Sequence, residues 1–190
     1  MFITPIEIFD IIVMTLAIGY IFSDYLKKPL TYDVHNPVKY FSINRHSVWE
    51  NTKFAAMIAS PAIVLHELAH KFVAMGFGAT AVLHAPYGMY LVVVILKLIK
   101  FPFIFFVGGY VSHSPLPALQ SSLVSVAGPF MNFLIWFACW ILVKNSLVNK
   151  KYYKILVPMG RISLFLAIFN MLPIPGFDGS HFFSALFSLL

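Results

Sequence analysis

Charge is scarce in this 190-residue chain: Asp, Glu, Lys and Arg together make up 11% of it, against about 25% in ordinary soluble domains. Acids are scarcer than bases, seven against 13, and glutamate is limited to Glu7, Glu50 and Glu67. There is one cysteine, Cys139, set in an apolar run, which excludes a disulfide framework and a thiolate metal site. The net charge of +6 does not come from a basic stripe. Nine of the 13 Lys and Arg fall in two clusters, 27–53 and 144–154, between apolar stretches. That is where loop charge in a membrane protein sits, so no nucleic-acid partner is expected. A basic n-region is also missing: the first apolar stretch opens on Glu7 and Asp10, so no secretory signal peptide is expected.

Apolar residues fill the space left by charge, at 60% of the chain. Uncharged runs cover 11–23, 54–66, 72–96, 101–143, 162–177 and 179–190. The run 101–143 is about twice the roughly 20 residues that an apolar helix needs to cross a bilayer. A small soluble domain has too much surface to hide so many apolar side chains. The composition therefore predicts an all-α integral membrane protein embedded in the lipid bilayer, in a single domain over 1–190 with no internal repeat.

Thr4-Pro5-Ile6-Glu7 reads as a capping box with Pro at the first helical position, and opens a first helix over about 4–22. Glu7 and Asp10 then lie near its positive end, as acids at an interfacial helix terminus. Residues 23–47 are polar and read as an extramembrane loop. A second capping-box pattern, Ser47 to Glu50, opens a second helix over about 48–75, bent at Pro61 and stopped by Gly76 and Gly78. The region 79–117 predicts strands or a re-entrant segment. Its stretch 90–96 is rich in β-branched residues, and a full crossing would carry Lys97 and Lys100 near mid-membrane, at roughly 2.5–3.5 kcal/mol each. A third helix follows over about 119–144 and a fourth over about 153–172, ended by Pro173. The last segment, 173–190, is too short to span. The count is about four transmembrane helices, with a re-entrant, partly β segment between the second and third.

The second helix contains His66-Glu67-Leu68-Ala69-His70. Histidines at i and i+4 share one helix face, so both imidazoles reach one metal ion, while Glu67 can touch a water on that metal without ligating it. Zn²⁺ brings the pKa of such a water toward about 7 and the carboxylate takes the proton, which is hydrolytic chemistry. The alternative is a polar trio hydrogen-bonded across a helix interface, which has no need of this spacing. Two histidines leave zinc short of a third protein ligand. Candidates are His35, His46, His84, His113, His181 and the four aspartates. Asp178 stands out, because Pro173, Pro175 and Gly176 break the preceding helix and free backbone to present a carboxylate, although a plain turn aspartate fits the same local sequence.

In order along the chain come HELAH in a membrane helix, Gly108-Gly109-Tyr110-Val111, Ala127-Gly128-Pro129-Phe130-Met131-Asn132, and Asn170-Met171-Leu172-Pro173-Ile174-Pro175-Gly176-Phe177-Asp178-Gly179. This series resembles the site-2 proteases, intramembrane zinc metalloproteases that cut membrane-spanning substrates. The resemblance covers about 50–180. It implies one zinc held by His66, His70 and Asp178, with Glu67 as base, and a transmembrane protein or peptide as partner. It also implies that Gly108 and Gly109 lead into a strand beside the active site, whose edge could hold an unwound substrate by main-chain hydrogen bonds. Asn132 is similar to a family asparagine near the substrate, though a helix–helix hydrogen bond accounts for it equally. Gly128-Pro129 reads as close packing. His181, just past the Asp-Gly pair, departs from the family pattern; it could ligate, position the site or lie at the interface. The stretch 87–103 is longer and more apolar than the family pattern implies, and no PDZ-like or CBS-like module is expected.

The charge bias and the resemblance disagree on orientation. With 79–117 re-entrant, both basic clusters share one side, which positive-inside bias makes cytoplasmic. The resemblance puts 23–50 outside and the active site near the cytosolic face, and Asp24, Asp33 and Glu50, which make 23–50 mixed in sign, favour that arrangement. Two other functions compete. A prenyl-protein endopeptidase would want a further glutamate ligand on another helix, and this chain has none to spare. A catalytically silent zinc sensor or transporter would usually offer several acidic or histidine sites along a path, where one convergent cluster is visible. Oligomeric state has no signature in the sequence.

Overall fold

A computed structural model describes residues 3–29, 48–101 and 108–188. The expected polar loop falls largely outside these, as do Ser47 of the second capping box and the candidate ligands His35, His46 and Asp33. Helix α1 (Pro5–Phe22) opens as its sequence predicts. The Thr4 hydroxyl accepts from the Glu7 N–H at 3.3 Å, and the Glu7 carboxylate accepts from the Thr4 N–H at 2.7 Å. Helix α2 (Val48–Gly76) packs along α1 and continues on both sides of Pro61.

The region after α2 is part strand, as its sequence predicts, and part helix, where the reading of 90–96 is corrected. Strands do form, but at its two ends: β1 (Ala81–His84) and β2 (Tyr110–His113) pair antiparallel, with Ala81 opposite His113 and His84 opposite Tyr110. The β-branched stretch between them is a helix, α3 (Tyr87–Leu98). At 12 residues it is about 18 Å long, too short to cross. It buries only Tyr90 and Val93, while Leu91, Val92, Ile95 and Leu98 are exposed. An apolar segment with so little protein around it would leave a strand's N–H and C=O groups unpaired in lipid; a helix satisfies them internally. Composition therefore yields to hydrogen bonding. Lys97 has a use as well: its ammonium donates to the carbonyl of Tyr20 and, at 2.7 Å, to the Ser23 hydroxyl, capping the negative end of α1.

Helices α4 (Ala118–Lys144), α5 (Tyr153–Asn170) and α6 (Asp178–Phe187) complete the bundle. α4 lies against α2, α5 and α6. Among the described residues, three segments are long and apolar enough to cross a membrane: Pro5–Phe22, Ala118–Lys144 and Lys150–Asn170. They leave most of their surface uncovered by protein, including Phe130, Phe133, Phe137 and Trp140 on α4 and Phe165 and Ile168 on α5, as helices facing lipid do. The chain is a multi-pass integral membrane protein, an α-helical bundle with a short two-stranded sheet between α2 and α4. Its core gathers Met14, Ile18 and Ile21 of α1, Ile63 of α2, Leu83 of β1 and Val93 of α3.

Glu7 and Asp10, expected as interfacial acids, are 1% and 3% exposed. The ammonium of Lys71 and, at 2.9 Å, the Leu83 N–H both reach the free oxygen of Glu7. The Tyr87 hydroxyl donates to Asp10. β1 and the start of α3 thus fold over the first turns of α1 and bury those acids in protein.

Candidate metal centre

His66 and His70 sit one turn apart on the face of α2 turned to α4, with side chains 7% and 8% exposed. Asp178 arrives from the far end of the chain. After α5, the chain turns through 171–177, where prolines stop the helix from continuing. Asp178 then begins α6, and a Cβ on Gly179 would collide with the carbonyls of Met171 and Leu172. Only glycine lets this turn close so tightly, which accounts for the Asp-Gly pairing. The carboxylate oxygens reach His66 Nε2 at 3.0 Å and His70 Nε2 at 3.3 Å. One atom from each of the three residues lies within 4.8 Å of the others.

The donor set fits a divalent metal. His70 Nδ1 is 2.7 Å from the carbonyl of Val124, which can only accept, so Nδ1 carries the proton and Nε2 keeps its lone pair for the centre. The Asp178 carboxylate faces both Nε2 atoms, so all three groups turn their donor atoms to one point. Two imidazoles and a carboxylate leave a fourth position for water or substrate, the pattern of catalytic rather than structural zinc sites.

Glu67 lies beside the histidines, 9% exposed, with no hydrogen-bond partner among the described residues. With His66, His70, Asp178, Gly109 and Tyr110 it lines a cavity of about 400 Å³. Gly108 and Gly109 lead into β2 along that wall; Gly108 accepts from the Tyr90 hydroxyl. His181 lines the same cavity from the exposed side of α6 but stands outside the three-residue cluster. His113 of β2 also lines the cavity, outside that cluster; His84 and Asp24 lie elsewhere, His84 bonding the Ser112 hydroxyl at 2.9 Å and Asp24 lying 3.3 Å from Lys97.

Asn132 is fully buried, with its amide nitrogen 2.9 Å from His66 Nδ1. Gly128, read from sequence as a packing residue, lies closer to chemistry than that: a Cβ there would run into Nε2 of both histidines. The motif that contains Gly128 marks it for packing alone, and Val124 lies outside every motif. The signal that could have found them is spacing, since 124, 128 and 132 share one face of α4 as 66 and 70 share one face of α2.

Comparison with known proteins agrees with this geometry. Residues 142–190 match the model of Peptidase family M50. A Methanocaldococcus jannaschii protein named "Putative zinc metalloprotease" is 31% identical over 175 residues, covering 91% of this chain and 81% of the relative. A second protein of that organism, named a zinc metalloprotease, is 26% identical over 147 residues, 77% of this chain but 38% of the relative's length. No solved structure matches. On the identity and coverage of the first relative, the chain belongs to Peptidase family M50, a family of zinc metalloproteases.

Proposed function

We propose that the protein is an intramembrane zinc endopeptidase that hydrolyses peptide bonds of membrane-spanning proteins. The observation that carries this reading is the convergence of His66, His70 and Asp178 beside the Glu67 carboxylate, which has no hydrogen-bond partner among the described residues, in a bundle of membrane-length helices. His66, His70 and Asp178 would hold one zinc ion. Bound there, zinc supplies Lewis acidity, polarising the scissile carbonyl and acidifying water. Glu67 has the position and the free lone pairs to take the proton from attacking water and pass it to the leaving amine. Its neighbours His66 and His70 lie on the same turns of α2, so base and ligands keep fixed relative positions. Gly108, Gly109 and β2 border the cavity, and their main chain can line up an unwound substrate segment.

We further read α2 as a fourth crossing. Its 29 residues reach about 43 Å, and Glu67 and Lys71, which keep it out of the apolar class, are buried in protein.

The test compares wild type with Glu67→Gln, in purified protein and in cells. Near-stoichiometric zinc is expected in both. One or more membrane-spanning proteins should accumulate uncut only in the variant. Cleavage by the variant at the wild-type rate would remove the HELAH segment from the chemistry and overturn the proposal. Zinc held by both with an identical membrane proteome would favour the silent zinc-binding alternative.

A further inference from the structure

The face of α4 carried by Val124, Gly128 and Asn132 lies against the two histidines, and its three residues meet them in three ways. The Val124 carbonyl takes the Nδ1 proton of His70. Gly128 leaves room at both Nε2 atoms. Asn132 meets His66 Nδ1, and here the pairing is chemically at odds with the site. An amide N–H donating to Nδ1 requires that nitrogen to be bare, which puts the ring proton on Nε2, the atom that has to face a metal. The other end of the amide is in difficulty too. Asn132 Oδ1 is the buried side-chain polar atom left without any partner among the described residues.

Turning the amide end for end resolves the first conflict with almost no change of shape, because its oxygen and nitrogen are close to isosteric. Oδ1 then accepts from the Nδ1–H of His66, and Nε2 is left with its lone pair. The turn exchanges an unpaired oxygen for an unpaired amino group. Hydrogen-bond count therefore does not choose between the two ends; the demand for a free Nε2 does. We propose that Asn132 is a positioning residue of the metal site: its Oδ1 accepts the His66 Nδ1–H, as the Val124 carbonyl accepts that of His70, so that α4 sets the tautomer of both ligands. Asn132 is fully buried and does not border the cavity, so it acts through His66 and not on substrate. This rests on the zinc reading above.

The experiment measures zinc affinity by chelator competition in folded wild type, Asn132→Leu and Asn132→Asp. Leucine keeps the volume and has no acceptor. Aspartate keeps an acceptor and loses every donor. The expected result is a 10–100-fold weaker affinity for the leucine variant, the usual cost of losing an outer partner of a ligating histidine, and an affinity at or above wild type for the aspartate variant. Unchanged affinity with leucine, or equal loss with both, overturns the proposal. A rise in KM with affinity for zinc unchanged would assign Asn132 to substrate instead. Wild type that takes up no zinc would overturn the metal reading and this proposal together. A second measurement needs no change at Asn132: ¹⁵N chemical shifts of histidine-labelled protein stripped of metal, with His66 assigned by comparison with His66→Gln. A protonated Nδ1 on His66 is expected, and a bare Nδ1 overturns the proposal.

Discussion

Lys71 follows His70 directly, yet the two side chains belong to clusters built on opposite principles. Lys71, 1% exposed, is tied to Glu7, and Glu7 also takes N–H groups from Leu83 and Thr4. Those two opposite charges are paired, and the ring of donors and acceptors is closed. On the adjoining face, neither the Glu67 carboxylate nor Asn132 Oδ1 has a hydrogen-bond partner among the described residues, and the proposed ligand residues line a cavity. Lys71, Glu7, Glu67, Asn132 and both histidines are buried and only Asp178 is partly exposed, so burial alone does not separate the clusters. Satisfaction does: a buried polar group with its bonds complete fixes where the chain goes, while one held open is available to a metal or a reactant.

The largest effect that would sharpen this contrast is at Glu67. Glu67→Gln keeps the volume and loses the proton-accepting carboxylate, so cleavage should fall by at least about 10²–10⁴ while zinc content and thermal stability hold. Lys71→Met should do the opposite. It strands the buried charge of Glu7, costing about 3–5 kcal/mol of stability by thermal unfolding in detergent. Adding Glu7→Gln removes the stranded charge and should recover most of that loss, with zinc affinity unchanged throughout. If Lys71→Met instead releases zinc at full stability, the two clusters are one.

Third is the ligand assignment. Asp178→Ala should weaken zinc binding by more than the roughly 10–100-fold cost of an outer-shell partner, whereas His181→Ala keeps most of the metal. The reverse result would move the third ligand to His181. Smallest is Lys97→Met, which removes a cap from α1 far from the site. A loss of about 1–2 kcal/mol is expected in unfolding, with zinc affinity and cleavage untouched.

What could be read in advance divides along the same line. HELAH is local: its spacing alone puts two imidazoles on one face, and the helix break before Asp178 is written in Pro173, Pro175 and Gly176. The Thr4–Glu7 capping box is local too. By contrast, the burial of Glu7 depends on Lys71 and Leu83, which lie 64 and 76 positions away. No pattern around Glu7 announces them. The helix at 87–98 was hidden for a related reason. Its β-branched side chains speak for a strand, but which structure forms depends on whether backbone partners are nearby, and that is a property of the surroundings. Gly128 reads locally as a packing glycine; its importance appears only when α2 is laid against α4.

The separation of the ligands along the chain has a temporal consequence. His66 and Asp178 are 112 positions apart. As the chain is synthesised, the two histidines emerge long before the aspartate, with α3, both strands, α4 and α5 still to come between them. During that interval the half-built centre offers two nitrogens and no carboxylate from Asp178, so metal capture by the proposed ligand set is weak. The ligand set closes only when α6 docks against α4. On the proposed ligand set, a chain whose last helix has not docked lacks one of the three ligand atoms.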